Sequence, residues 1–133
     1  MQEKIMCSVG YTKRINQELE PLIQEAKQRV SEHSTAEQVI VVKTVKGNVH
    51  FFANNVSDQK YEEEKEFVQK LIEEDDAVID CIVCMWDDFN LDLPSMNFRK
   101  LLLAANEENN HAKICLGDGT RMRTIQKCMP SPL

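Results

Sequence analysis

The stretch of residues 77–105 constrains the fold of this chain more than any other part of the sequence. It opens with a nearly unbroken apolar run, 77–86, which is typical of a strand buried on both faces of a sheet. An acidic loop, 87–92, follows, and Ser95 can then cap an apolar-periodic helix. Because the N-terminus of this helix lies at the carboxyl end of the strand, the stretch predicts a crevice of the kind in which open α/β sheets bind ligands.

The periodicity of the other segments predicts the order of the elements. Three segments have the spacing of amphipathic helices: 12–33, 58–74 and 95–105. Five apolar runs have the character of strands: 38–45, 49–53, 77–86, 112–116 and 120–125. Short connections that contain glycine join the first two strands and the last two, which predicts two β-hairpins. The order α–β–β–α–β–α–β–β indicates an α/β protein with three layers, α/β/α, around a mixed five-stranded sheet.

The distribution of charge excludes one class of function. The net charge is −6, and the segment 57–76 accounts for all of it with nine acidic residues and three lysines. The rest of the chain is balanced and has no basic stripe, so it lacks the electrostatic footprint of a nucleic-acid-binding protein. The acidic segment is typical of a solvated helix face.

Length and cysteine usage indicate the class of protein and its compartment. A length of 133 residues predicts a single domain, 1–133, with the helix 12–33 preceding an α/β core over 38–133. No apolar run approaches the roughly 20 residues of a transmembrane helix, and the first residues lack the pattern of a signal peptide. Most of the five cysteines lie in apolar segments, as thiols kept reduced in the cytosol do. We therefore expect a cytoplasmic protein without membrane contact.

The element order and residues 46–133 resemble the cytidine deaminase-like fold family. The turn and strand KGNVHFFANN are similar to the family's hairpin, which ends in an asparagine that contacts the ribose of a nucleoside, and Asn54 matches it. The segment YEEEKEFVQKLIEEDD is similar to the helix that follows in the family. The resemblance places Glu62 at a zinc-ligand position and Glu64 at the position of the catalytic glutamate.

The sequence departs from the family where a metal would bind. The helix start PSMNFRKLLL resembles the family's Pro-Cys-x-x-Cys-Arg motif and matches it at Pro94 and Arg99. The two cysteine positions, however, hold Ser95 and Phe98, and Glu62 replaces a histidine or cysteine. The family's zinc needs three Cys or His ligands near a general acid/base glutamate. Phe cannot ligate a metal and Ser is a poor ligand, so zinc-dependent deamination is not predicted, and no catalytic residue, metal or cofactor is assigned.

The loop after the central strand offers a second set of candidate residues. Trp86 beside Asp87 could contact a ligand or partner, or Trp86 could plug the end of the sheet while the acids are solvated. Cys81 and Cys84 invite a metal or redox interpretation, but residues three apart on a strand point to opposite faces, so buried thiols are predicted. The full set of candidate crevice residues is Asn54, Glu62, Glu64, Trp86, Asp87, Ser95, Asn97 and Arg99.

Three hypotheses of function follow from the sequence. The first is a non-catalytic deaminase-fold protein without zinc that binds a small ligand or acts through association. The family commonly forms dimers or tetramers, so the resemblance implies a homo-oligomer. The second is an enzyme that uses the same crevice with a hard cation such as Mg²⁺, held by residues 62–64 and 87–88. The third is an acidic, antitoxin-like interaction module whose helix 58–74 meets a basic partner.

Overall fold

The computed structural model describes residues 19–117, 119 and 121–130, which form a mixed α/β structure. The helices are α1 over 19–32, α2 at Glu62–Glu73 and α3 at Met96–Ala105. The strands are β1 at Gln38–Thr44, β2 at Val49–Asn54, β3 at Ile79–Trp86, β4 at Leu91–Asp92, β5 at Lys113–Leu116 and β6 at Arg121–Thr124. Short 3-10 helices lie at Glu107–His111 and Gln126–Cys128.

The predicted order of helices and strands is confirmed, with the two-residue β4 as an addition. The part of the predicted first helix that covers residues 12–18 lies outside the described residues. None of the helices in the described part of the chain has the length and apolar character that crossing a bilayer requires.

The strands form one mixed sheet in the order β2-β1-β3-β5-β6. β1 is antiparallel to both β2 and β3, β3 and β5 are parallel, and β6 closes the sheet antiparallel to β5. The helix α3 lies on the crossover that makes β3 and β5 parallel. β4 pairs with Cys84 and Met85, near the end of β3. It lies on the same edge of β3 that pairs with β5 at Cys81 and Ile82. The predicted mixed sheet is therefore confirmed.

Two apolar cores, one on each face of the sheet, produce the three layers. Alternate residues of β1 point to opposite faces, so Ile40 and Val42 pack against α2 and α3 while Val39 and Val41 pack against α1. β3 divides its residues in the same way and is buried on both faces, as its unbroken apolar run predicts. The three-layer α/β/α architecture follows from this division.

The helix α2 begins at Glu62, four residues after the predicted start. The carboxylate of Asp58 accepts a hydrogen bond from the backbone N–H of Lys60 at 3.0 Å, so this aspartate closes a turn instead of capping the helix. Tyr61 has a positive φ of 57° and stands immediately before the helix. Because of this turn at Asp58, α2 starts later than predicted. Glu64, and not an earlier residue, then faces the interior of the protein from the first turn of the helix.

Asp76 ties the β1–β2 hairpin to the chain that enters β3. Its carboxylate is buried, and Oδ2 accepts hydrogen bonds from His50 Nε2 at 2.8 Å and from Asn48 Nδ2 at 2.9 Å. Burial alone raises the pKa of this carboxyl, but hydrogen bonds from His50, Asn48 and Thr44 outweigh it, so the pKa of Asp76 lies below its ordinary value. The ionised carboxylate therefore stabilises this end of the sheet.

We expect Asp76→Asn to lower the free energy of unfolding by about 1–3 kcal/mol near neutral pH, because the donors lose a charged acceptor. The pKa of Asp76 is lower in the folded protein than in the unfolded chain. Its contribution is therefore complete above the unfolded value of about 4 and is lost as the pH falls through the folded value. Urea unfolding of wild type and variant from neutral to acid pH should show the difference shrinking below about pH 4.

Asp75→Asn is the matched control for this measurement, because the neighbouring Asp75 side chain is fully exposed. We expect that variant to change stability by less than about 0.5 kcal/mol at every pH. A difference between wild type and Asp76→Asn that stays constant through the acid range would contradict the assigned role of the charge.

Candidate functional site

Glu64, in the first turn of α2, is fully buried, with 0% of its surface exposed. Its Oε1 accepts hydrogen bonds from Ser95 Oγ at 2.8 Å and from Asn97 Nδ2 at 3.0 Å. Its Oε2 accepts hydrogen bonds from Asn54 Nδ2 and Ser95 Oγ, both at 2.8 Å. A carboxylate taken out of water is strongly unfavourable unless it is hydrogen-bonded, so these three neutral side chains hold Glu64 inside the protein.

A glutamine extends this arrangement into the central sheet. Gln38 lies directly opposite Asn54 in the β1–β2 pairing, and Gln38 Oε1 accepts a hydrogen bond from Asn54 Nδ2 at 2.9 Å. Both protons of the Asn54 amide are thus used, and Asn54 Oδ1 is buried without a hydrogen-bond partner among the described residues. We call the five residues Gln38, Asn54, Glu64, Ser95 and Asn97 the Glu64 network.

Gln38 is not among the candidate residues predicted from the sequence. Its only signal there is that of a polar residue at the start of an apolar strand. Only the register of the hairpin identifies its partner.

Ser95 serves two purposes at the start of α3. Its Oγ donates to the Glu64 carboxylate and accepts a hydrogen bond from the backbone N–H of Phe98 at 3.0 Å, which makes it the predicted N-cap. The carboxylate therefore lies at the N-terminus of α3, where the helix dipole favours negative charge. The helix dipole and the hydrogen bonds therefore both stabilise the carboxylate of Glu64 in this position.

An aromatic cluster closes the space beside the Glu64 network. Phe98 is 0% exposed, and its ring lies 5.6 Å from that of Phe52 and 6.2 Å from that of Phe67. Phe52 and Phe67 stack at 4.3 Å. The position that the resemblance aligned with a metal-binding cysteine is therefore occupied by the centre of an apolar cluster.

Arg99 is buried but does not reach the network. Its Nε donates to the backbone carbonyl of Pro94 at 3.1 Å, and its guanidinium also donates to the carbonyl of Cys128. The residue thus fixes the bend before α3 and anchors the 3-10 helix near the end of the described chain. These contacts are structural, and none of them involves the carboxylate of Glu64.

The other candidate crevice residues lie away from the Glu64 network. Glu62 is exposed at the first position of α2, two residues before the buried Glu64. The indole Nε1 of Trp86 donates to Asp92 Oδ2 at 2.9 Å. Asp87 is exposed, and its backbone N–H donates to the carbonyl of Glu37 at 3.0 Å. Of the eight candidates, the structure brings together Asn54, Glu64, Ser95 and Asn97.

The cysteines of β3 lie on opposite faces of the sheet, as predicted. Cys81 packs in the core under α1 and Cys84 in the core under α2 and α3. Burial, with a smaller effect of Asp80, raises the pKa of Cys81 to about 11. Burial also raises the pKa of Cys84, as do the nearby charges of Asp92 and Glu64. Both thiols are therefore protonated and chemically inert at neutral pH.

The donors around Glu64 do not fit the zinc site that the resemblance implies. Zinc in proteins takes thiolate, imidazole and carboxylate ligands in tetrahedral geometry. Here the neighbours of the carboxylate are amide N–H groups and a hydroxyl that already donate to it, and Phe98 offers no donor atom. Across the described ranges, no group of three or more His, Cys, Asp or Glu side chains could hold a metal ion.

Comparison with solved structures gives the fold of the chain. The cytidine deaminase from Mycobacterium leprae superposes with a TM-score of 0.58 at 15% identity, covering 80% of this chain and 94% of that one. A glutamate-to-aspartate mutant of the cytidine deaminase from Mycobacterium tuberculosis gives 0.62 at 17% identity, covering 84% and 90%. A glutamate-to-glutamine mutant of the same enzyme gives 0.56 at 18% identity, covering 72% and 78%.

No protein-family model matches the sequence, and no curated protein sequence matches it either. The structural similarity at such low identity establishes the fold. The chain has a cytidine deaminase-like α/β fold, as the sequence analysis expected.

Ser95→Ala should destabilise the protein by about 1–3 kcal/mol, because it removes the N-cap of α3 and leaves the buried carboxylate without one of its donors. Urea unfolding followed by circular dichroism measures the change. Ser31→Ala is the matched control, since Ser31 is exposed and donates only to the carbonyl of Lys27. That control should change stability by less than about 0.5 kcal/mol. Equal effects of the two substitutions would contradict the role given to Ser95.

Cys81 and Cys84 should resist alkylation by iodoacetamide in the native protein near pH 8, because the thiolate that reacts is almost absent at their raised pKa values. Peptide mass spectrometry reads the modification at each cysteine. The partly exposed Cys128 serves as the internal reference and should react first. In denaturant all three should react. Native labelling of Cys81 or Cys84 at the rate of Cys128 would show that the sheet opens.

Proposed function

We propose that this chain is a non-catalytic protein with a cytidine deaminase-like fold, in which hydrogen-bonded side chains and aromatic rings fill the zinc-binding crevice of the family. It acts through its surface, by association with a partner or with copies of itself. The observation that supports this most directly is the complete burial of Glu64, whose carboxylate is hydrogen-bonded on both oxygens by Asn54, Ser95 and Asn97.

A buried and fully bonded carboxylate is poorly suited to catalysis. A general acid or base must come within hydrogen-bond distance of the proton that it transfers. Glu64 exposes no surface to a substrate, and both of its oxygens already accept hydrogen bonds from the protein, from Asn54, from Asn97 and from the single hydroxyl proton of Ser95 that the two oxygens share. Opening the site would break several hydrogen bonds at once and separate the rings of Phe52 and Phe98. These costs favour a structural role for Glu64.

The carboxylate-based enzyme receives less support from the geometry. A Mg²⁺ or Ca²⁺ site needs several oxygen ligands directed at one point. Glu62 and Asp87 are exposed, whereas Glu64 is buried and committed to the network, so the residues of that hypothesis do not converge.

Surface features support action through association. Val45 is 61% exposed and Ile72 is 46% exposed, and both line the same surface cleft with Ala77, Val78 and Ala105. Large apolar side chains grouped at a surface are typical of protein contacts. The family's tendency to form dimers or tetramers makes a homo-oligomer the partner that we propose first. An acidic interaction module that meets a basic partner is the second, because α2 directs Glu62, Glu66 and Glu73 to solvent.

Elemental analysis and a deamination assay on the purified protein test the proposal. We expect less than about 0.1 zinc per chain, because the Glu64 network lacks the thiolate and imidazole ligands that structural and catalytic zinc needs. Conversion of cytidine should equal the uncatalysed rate, with an active zinc-dependent cytidine deaminase assayed in parallel. Cytidine and uridine should not shift the thermal midpoint, since the network is closed. Stoichiometric zinc, or deamination that Glu64→Gln abolishes, would refute the proposal.

A further inference from the structure

A second cleft opens where the sheet divides. β3 pairs with β5 as far as Ile82 and Ile114, and beyond that point its edge pairs with β4 instead, at Cys84 and Met85. β5 continues to Leu116, where β6 is its only hydrogen-bonded partner among the described strands. The strands β4 and β5 therefore diverge at the carboxyl end of the parallel pair, which is the end at which α/β sheets bind ligands.

The divergence leaves a cleft of about 670 Å³, which we call the arginine cleft. Its walls come from β4 and the following residue, from the end of β5, and from β6. They consist of Leu91, Asp92, Leu93, Leu116, Gly117, Arg121, Met122 and Arg123. A volume in this range is typical of small-molecule sites, and the lining combines charged side chains with apolar ones.

Two guanidinium groups give the cleft its chemistry. Arg121 and Arg123 alternate along β6 opposite Leu116 and Ile114, so both lie on the same face of the sheet. Both are exposed, and neither forms a hydrogen bond or an ion pair with another described residue. In a chain of net charge −6, two adjacent arginines without acidic partners mark a local site of positive potential.

The one carboxylate in the cleft is already engaged. Asp92 Oδ2 accepts the indole N–H of Trp86 at 2.9 Å, and Asp92 Oδ1 accepts the backbone N–H of Leu93 at 2.7 Å. The aspartate keeps its negative charge, but it forms no ion pair with either arginine among the described residues. Two positive groups against one negative group leave the cleft with a net positive charge.

A glycine makes room for one of the arginines. Gly117 has a φ of +70°, and a Cβ at this position would lie 3.1 Å from Nε and 3.2 Å from one terminal nitrogen of Arg121. The Arg121 side chain can thus lie across the turn that closes the β5–β6 hairpin. The absence of a side chain at residue 117 leaves space for this guanidinium at the rim of the cleft.

We propose that the arginine cleft binds a small organic anion, with its carboxylate or phosphate group on Arg121 and Arg123 and its apolar body against Leu93 and Leu116, which lie on the same face of the sheet as the two arginines. Arginine presents paired N–H donors that match the oxygens of both anions, and the leucine side chains favour a flat or aliphatic body. This site is separate from the Glu64 network and does not depend on whether that network is catalytic.

Isothermal titration with four probes tests the proposal: phenyl phosphate, benzoate, inorganic phosphate and phenol. We expect saturable binding of phenyl phosphate or benzoate, with the tighter of the two identifying the preferred anion. Inorganic phosphate, which lacks the apolar body, and phenol, which lacks the charge, should each bind at least about tenfold more weakly. Affinity should fall as salt is raised, because the contacts are ionic.

Arg121→Gln and Arg123→Gln should each weaken binding of the preferred probe by about tenfold, which is the effect of losing one charged hydrogen-bonding partner. Lys60→Gln is the matched control: it removes one exposed positive charge outside the cleft and should leave the affinity unchanged. All three substituted residues are exposed, and equal thermal midpoints would show that the variants fold.

Three results would overturn the proposal. The first is no saturable binding of phenyl phosphate or benzoate up to ~10 mM. The second is unchanged affinity in both arginine variants. The third is a change of mass in light scattering of the arginine variants without any change in probe binding, which would identify the cleft as a contact between proteins. Each of these results leaves the zinc and deamination tests of the closed crevice unaffected.

Discussion

The buried carboxylate of Glu64 is the constraint on which the arrangement of β2, α2 and α3 depends. A carboxylate in the interior is stable only when the protein supplies its hydrogen bonds. The donors come from two different elements, Asn54 at the end of β2 and Ser95 with Asn97 at the start of α3. Because hydrogen bonds are directional, they form only in one relative position of the two helices and the hairpin. Apolar contacts alone would allow several positions. Gln38 extends the same requirement to β1.

The Glu64 network and the aromatic cluster together join β2, α2 and α3. Phe98 occupies the centre of the apolar cluster, and the hydroxyl of Ser95 is used by the helix cap and by Glu64. Pro94 and Arg99 keep the bend that positions α3. The backbone contacts of Arg99 thus hold the start of α3, and the hydrogen bonds of the Glu64 network join it to α2 and β2. Arg121 and Arg123 are exposed near the place where β4 and β5 separate, and neither pairs with an acid among the described residues.

Particular residues show how far the sequence could predict the structure and where it could not. The apolar run of β3 predicted a strand buried on both faces, and the set of candidate crevice residues contained Asn54, Glu64, Ser95 and Asn97, which the structure brings together. The start of α2 was predicted four residues early, because the turn made by Asp58 competes with a helical cap and the pattern of apolar residues does not reveal which one forms. The two-residue β4 is too short to have a periodicity of its own.

By itself, the sequence determined the order of elements and the two faces of the sheet, because periodicity and residue chemistry are local properties. The tertiary structure alone decided which polar residues meet. Glu62 and Glu64 are two positions apart on one helix, yet one is solvated and the other is enclosed, because the docking of α2 against α3 buries only one side of the first turn. The arginine cleft likewise exists only because two strands share one edge of β3 and then diverge, and this pairing depends on residues far apart in the chain.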